Sequence, residues 1–400
     1  MGEHGLKSAT NASNCPVGES DGDSILTVNV GSSSVKLSLL DNADQVLSRR
    51  EIEVAGASDS VHAATLETEL EQLWPFCATS HRIVHGGARF TRPVLADSEV
   101  IAELGALANL APLHQQRALS ALSCVMSSLP QVPAVACFDT SFHATIPRAA
   151  STYAIPARWR EDLGIRRYGF HGLSYAYATR RSAELLGRSP TSLRLVIAHL
   201  GSGASLAAVK HGSSVDTTMG FTPLEGLVMA TRPGNVDPGA LLWLLQNGVR
   251  TSELDDTLEH ASGLVGLTGT QDMRSVLLAA HSGQPDAQLG LEVYLHRLRS
   301  LVASMVAATG GIDALVFTGG VGENSPYIRE HLARGIGFLG VNVDTGANAS
   351  ATSGGDALIS PRGARVAVLV VESREDVELA QEARRLLQTG RPQPNFRVVV

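Results

Sequence analysis

Ile25-Leu26-Thr27-Val28-Asn29-Val30-Gly31-Ser32-Ser33-Ser34-Val35-Lys36-Leu37-Ser38-Leu39-Leu40 is the stretch on which the fold turns. An apolar, β-branched run ends in four small residues and resumes as a second extended run, which predicts a hairpin. The design recurs about 170 residues later. There Leu195 to His199 is the strand, Gly201-Ser202-Gly203-Ala204-Ser205 the turn and Leu206 to Val209 the return. Two copies of one hairpin so far apart predict a duplicated domain with two anion-sized turns.

Outward from the hairpins, strands and helices alternate. Pro133 to Phe138 reads as a buried strand ending at Asp139, and Ala314 to Phe317 and Arg365 to Val371 as further strands. Helices are predicted over 99–110, 115–128, 175–187 and 290–309. In the last of these Leu291, Tyr294, Leu295, Leu298, Val302, Met305 and Val306 share one face, and Gly310-Gly311 supplies the stop. Ser373 and Asp376 have capping-box spacing for a closing helix over 374–388. The fold class is therefore α/β. Residues 1–23, polar and rich in Gly, Ser and Asn, are expected to be a disordered tail without a signal-peptide core, and 390–400 a frayed one. Within the first tail Gly18-Glu19-Ser20-Asp21-Gly22 matches a hydrolase elbow, but no strand precedes it, so the match is accidental.

Composition narrows the function. The 400 residues are 44 % hydrophobic and 18 % charged, with a formal net charge of -7. That describes a globular chain of two or three domains, at ~150 residues each. The mild acidity argues against a nucleic-acid partner, and no apolar run is long enough for a membrane helix. Cys15, Cys77, Cys124 and Cys137 show no CxxC spacing, which suits a reducing cytoplasm and excludes a zinc ribbon.

No GxxxxGK[ST] loop occurs, and no GxGxxG opens a helix after a strand, which removes the two commonest nucleotide motifs. Three small-residue turns remain, at 31–34, 201–205 and 319–324, each after an apolar strand. Such turns let backbone N–H groups approach an anion. Cations cluster in His81-Arg82-Ile83-Val84-His85, in Arg166-Arg167-Tyr168-Gly169-Phe170-His171 and in Thr231-Arg232-Pro233-Gly234-Asn235. Fixed positive charge beside anion-binding turns suits phosphoryl transfer. No His pair has metal-ligand spacing on a helix, so a zinc enzyme is not expected.

At these residues the chain resembles the acetate kinase family of the actin-like ATPase superfamily. Asn29 to Lys36 is similar to that family's first signature, and Asp216-Thr217-Thr218-Met219-Gly220-Phe221-Thr222-Pro223-Leu224-Glu225-Gly226 to its second. Further matches are His81 to Gly87, Leu110 to His114, Phe138 to His143, Tyr168 to Gly172 and Phe317 to Ser325, so the likeness spans 25–388. The resemblance implies a duplicated actin-like ATPase fold of ribonuclease H-like lobes around a nucleotide cleft. The first lobe would comprise 24–141 plus 375–389, and the second 142–374. It also implies reversible phosphoryl transfer between ATP and acetate, with a propionate or butyrate kinase as the nearest alternative. A non-enzymatic ATPase switch is the rival from another class; Asp139, Arg82, Arg232 and His171 argue against it, since a switch has no need of an acyl-phosphate clamp.

Carried over by the resemblance, the catalytic residues are Asp139, Arg82, Arg232, His171 and His114. Arg82 would also bind substrate, with Val84, Leu113, Phe170 and Pro223 forming an acyl pocket. Nucleotide would meet Lys36, His199, Leu200, Gly201, Ser202, Gly203, Asp272, Met273, Arg274, Gly320, Val321, Gly322, Glu323 and Asn324. Asn29 and Glu375 would hold Mg²⁺, or Mn²⁺ in its place, and a homodimer is the family's expected state. Ser202, Gln115, Met273, Pro233, Asn235 and Arg374 depart from the family pattern, and none of these departures removes a proposed catalytic residue.

Overall fold

The computed structural model describes residues 23–31, 34–53, 59–111, 115–352 and 354–389. The expected tails 1–22 and 390–400, with Leu113 and His114, lie outside the described residues. The chain divides into two compact units. One takes 1–83, 92–137 and 376–400, and the other takes 84–91 and 138–375.

The first unit is built on β1 (Ile25–Val30), β2 (Ser34–Leu40), β3 (Val46–Glu53), β4 (Ala78–Ile83), β5 (Val94–Leu95) and β6 (Ala134–Phe138), in sheet order β3-β2-β1-β4-β6-β5. β1 and β2 form the predicted hairpin, antiparallel with Val28 opposite Leu37 and Asn29 opposite Lys36. β1 also runs parallel to β4, with Val28 opposite His81. Ile25, Leu26, Thr27 and Val28 are all buried, as expected of a strand covered on both faces. β3 lies at the edge and exposes Arg49, Arg50 and Glu51, charges that discourage pairing with another chain.

The second unit carries β7 (Arg194–Leu200), β8 (Ala204–Lys210), β9 (Ser213–Thr217), β10 (Ala314–Thr318), β11 (Ala357–Leu358) and β12 (Ala367–Val370), in order β11-β12-β10-β7-β8-β9. Read from its other edge, this order is that of the first sheet with six added to each strand number. β7 pairs antiparallel with β8 and parallel with β10, as β1 does with β2 and β4. The duplication expected from two hairpins therefore extends over whole sheets.

The helix Pro285–Thr309 buries Leu291, Tyr294, Leu295, Leu298, Val302, Met305 and Val306, and Gly310 (φ 72°) ends it in the left-handed conformation. Two expectations are corrected. Gly319–Asn324 is a short helix rather than a turn. The helix expected from 175 starts at Gly172, because His171 adopts φ 59° and reverses the chain there. The closing helix runs Glu375–Thr389; just before it the Ser373 amide donates to Glu323 Oε1 at 3.0 Å, and Asp376 in its first turn takes Arg49 at 3.0 Å. Among the described residues no helix is long and apolar enough to cross a membrane.

Candidate active site

In the first unit, the parallel pairing of β1 and β4 sets Asn29 beside Arg82. The Arg82 guanidinium donates to Asn29 Oδ1 at 3.2 Å. His81, before it, is buried, and burial pushes its imidazole down to about 3, so it adds no charge there. Lys36, opposite Asn29, is largely exposed, with its ammonium 4.0 Å from Glu51.

In the second unit, Asp139, which directly follows β6 in the chain, is 1 % exposed. Its carbonyl accepts the Gly172 amide at 2.8 Å. A Cβ on residue 172 would lie 2.2 Å from that oxygen, so only glycine permits the contact. The contact fixes His171 next to the Asp139 segment. His171 stacks on His199, centroids 4.3 Å apart and planes at 22°. Its Nδ1 lies 2.9 Å from Ser205 Oγ, and His199 Nδ1 lies 2.8 Å from Ser174 Oγ. Gly203 opens the face these rings look onto: a Cβ there would lie 3.0 Å from Arg232 Nη2 and 3.3 Å from His171 Nε2. Arg232 and His171 thus converge on the turn of the second hairpin. Arg232 also donates to the Pro223 carbonyl at 2.9 Å. Burial pulls its guanidinium below the ordinary arginine value, with Glu259 opposing.

Val84 is buried and precedes His85, whose ring meets Tyr168 and Phe170 edge-on at 4.6 and 5.4 Å. Burial holds His85 down to about 4, and its Nδ1 accepts the Gly87 amide at 2.8 Å. Phe170 is 1 % exposed. Its carbonyl sits 2.9 Å from His143 Nε2, and since a carbonyl only accepts, that nitrogen carries the proton. Nδ1 of His143 then accepts from Ser214 at 2.8 Å, and burial keeps this ring neutral too, down to about 4. Val84, Phe170 and Pro223 are each buried, and the two imidazoles beside Phe170 are both held neutral.

Two of the three expected nucleotide segments meet. Gly319 (φ 77°) packs so closely that its Cβ would lie 2.9 Å from the Leu200 carbonyl, and a Cβ on Gly322 would lie 3.6 Å from Ala198. Gly320, Val321 and Asn324 remain at the surface, with Ser202 across the first turn. Glu323 holds the segment together, its Oε1 accepting the amides of Gly319 at 2.8 Å and Ser373 at 3.0 Å. The third segment opens the helix Met273–His281. Asp272 caps it, bonding the Arg274 amide and Ser275, and Met273 is buried while Arg274 is exposed. The far end of that helix reaches Tyr327, whose ring meets His281 edge-on at 5.3 Å.

Among the described residues no group of three His, Cys, Asp or Glu side chains could hold a metal by itself. Asn29 in the first unit and the half-buried Glu375 in the second each carry a side-chain oxygen of the hard type that Mg²⁺ takes.

A family model described as the acetokinase family matches residues 60–381. The chain belongs to the acetokinase family. It is 40 % identical over 398 residues to an acetate kinase of Pseudothermotoga lettingae, covering 92 % of this chain and 98 % of that one. Among solved structures it is similar to the acetate kinase of Porphyromonas gingivalis, with a TM-score of 0.83 at 34 % identity over 92 % of this chain and all of that one. A propionate kinase of Francisella tularensis matches with a TM-score of 0.82 at 34 % identity over 90 % of this chain and 98 % of that one. The repeated strand order is thus the duplicated actin-like ATPase fold that the sequence resemblance implied.

Several residues of this acetokinase-family chain were not legible as site residues. Ser205, Tyr175, Ser174 and His143 belong to no motif spacing that announces them, although His143 closes the quoted Phe138 to His143 match. Arg167, grouped with the candidate cations, is instead structural. It donates to the Thr218 and Met219 carbonyls at 3.2 and 3.0 Å and to Glu225 at 2.8 Å.

Proposed function

We propose that this enzyme transfers a phosphoryl group reversibly between ATP and acetate, forming acetyl phosphate and ADP. The observation that carries the reading is the convergence of Arg232 Nη2 and His171 Nε2 over Gly203, beside the segment that holds Asp139. Fixed donors aimed at one point suit the charge that develops on a transferring phosphoryl group. In this reading Arg82 and Arg232 bind carboxylate and phosphoryl oxygens, His171 donates to the transition state, and Asp139 is the catalytic carboxylate. His114 and Leu113 keep the roles that the resemblance gives them. Val84, Phe170 and Pro223 take the acyl methyl, and Lys36 with segments 199–203, 272–274 and 320–324 takes the nucleotide. Asn29 and Glu375 are the oxygen donors to Mg²⁺, which supplies charge neutralisation on the phosphates.

The test is hydroxamate trapping of acyl phosphate with ATP, Mg²⁺ and formate, acetate, propionate or butyrate in turn. Acetate should give the highest kcat/KM, about 10- to 200-fold above propionate, the range that one methylene spans in an apolar pocket. No trapped product with any acid would remove the reading. A preference for propionate would favour the second reading, supported by the similarity to a propionate kinase. We also propose a homodimer and a cytoplasmic location where ATP is available. The helix Pro238–Gln246 supports the dimer, since it exposes Leu242, Trp243 and Leu245. Light scattering should return twice the chain mass of 42.0 kDa, and a mass of one chain would refute it.

A further inference from the structure

His171 is held from behind. Its Nδ1 lies 2.9 Å from the Ser205 hydroxyl, which in turn lies 2.5 Å from the Tyr175 hydroxyl. Ser205 and Tyr175 are both 0 % exposed. Counting hydrogens gives the chain a direction. Among the described residues the Tyr175 hydroxyl has Ser205 as its partner, so it satisfies its proton only by donating to Ser205 Oγ. The Ser205 proton is then left for His171 Nδ1, which must accept it. The reverse order would bury the Tyr175 proton without an acceptor, the costly arrangement inside a protein.

We propose that Tyr175 and Ser205 form a relay that holds His171 as the neutral tautomer with its proton on Nε2, the nitrogen facing Gly203 and Arg232. Both are positioning residues, and the inference rests on the reading of His171 as the transition-state donor. Other groups act on the same ring. Arg232, converging from its loop, disfavours an imidazolium, and His199 stacks on it from β7. Asp139, whose carbonyl takes the Gly172 amide, carries the opposing charge. Burial also raises the Tyr175 phenol, so the relay's outer end keeps its proton. A donor held in this way offers Nε2–H to a phosphoryl oxygen throughout the neutral pH range.

The tautomer is read directly by ¹⁵N NMR of histidine-labelled protein at neutral pH, with the His171 signals assigned by their loss in His171→Gln. A protonated Nε2 with a bare, hydrogen-bonded Nδ1 is expected. A protonated Nδ1, in the other tautomer or in an imidazolium, overturns the proposal whatever the activity. The double variant Tyr175→Phe/Ser205→Ala removes both hydroxyls together, so neither is left buried without the other, and it strips His171 Nδ1 of its donor. It should mix the tautomers and lower kcat ~10- to 100-fold by loss of orientation, with KM for both substrates nearly unchanged. Because the neutral ring loses the bond that favours it, the acid limb of the kcat profile should move to higher pH. An unmoved tautomer and an unmoved profile in that variant overturn the relay. Full kcat in His171→Gln beside an Nε2–H signal in the parent would remove the catalytic reading of His171 and leave the relay standing.

Discussion

Arg232 shows how much a single side chain is asked to do. It touches the Pro223 carbonyl with one nitrogen and looks over Gly203 with another. Arg232→Ala should lower kcat/KM by ~10²-fold or more, the usual loss when a donor to developing charge is removed. Steady-state kinetics near those of the parent would refute the assignment. Val84→Ala should raise the propionate-to-acetate ratio of kcat/KM, because it withdraws two methyl groups from the wall; an unchanged ratio would make Val84 ordinary core. Gly172→Ala puts a methyl into the Asp139 carbonyl, and either the backbone link or the fold must yield. It should destabilise by on the order of 2 kcal/mol, as other forced contacts do, and lower kcat as well. An unchanged urea midpoint would show that the loop adapts freely. At this scale the sequence was informative wherever function imposes a motif: Asp139, His171 and Arg232 stood out through the segments around them. Ser205 and Tyr175 did not, because their link to His171 is made in space and each looks like any small or aromatic core residue.

Elements were legible where burial dictated their pattern. β1, β2, β7 and β8 are covered on both faces, so their apolar runs read as strands. β3 could not be read this way, since Val46–Glu53 is an exposed edge whose charges resemble a loop. The glycines of Gly319–Asn324 likewise hid a helix, which is held by tertiary bonds rather than by its own propensity. Its stability comes from Arg329, which is 0 % exposed and donates to the carbonyls of Gly322 at 2.8 Å and Glu323 at 2.6 Å. The same guanidinium bonds Asn348 and Ala351, and burial draws it down only to about 10, so it stays charged. Arg329→Ala would strand these carbonyls and should cost roughly 3 kcal/mol or more, since buried groups left unpaired lose their full solvation. KM for ATP should rise with it. A soluble variant with unchanged melting temperature and KM would show that Arg329 is dispensable to this segment.

Across the whole molecule, buried histidines set an acid limit. His81, His85 and His143 are held down to about 3, 4 and 4. In the unfolded chain each returns to about 6.5. Below that value the unfolded state binds protons that the native state refuses, so stability is lost as pH falls from about 6.5 toward 4. Each histidine contributes a slope of up to ~1.4 kcal/mol per pH unit. Urea midpoints at pH 7, 6 and 5 should therefore fall progressively, and the fall should be shallower in His143→Gln. A flat series would mean that these rings titrate in the native state.

Beside the turn of the first hairpin Asn29 faces Lys36, and at the same register of the second His199 faces Ser205. Two identical copies would offer the same mouth twice, and a molecule so built could not tell the giver of a phosphoryl group from its taker. What tells one unit from the other is therefore carried by side chains beside the hairpin turns, while the strand order behind them is shared.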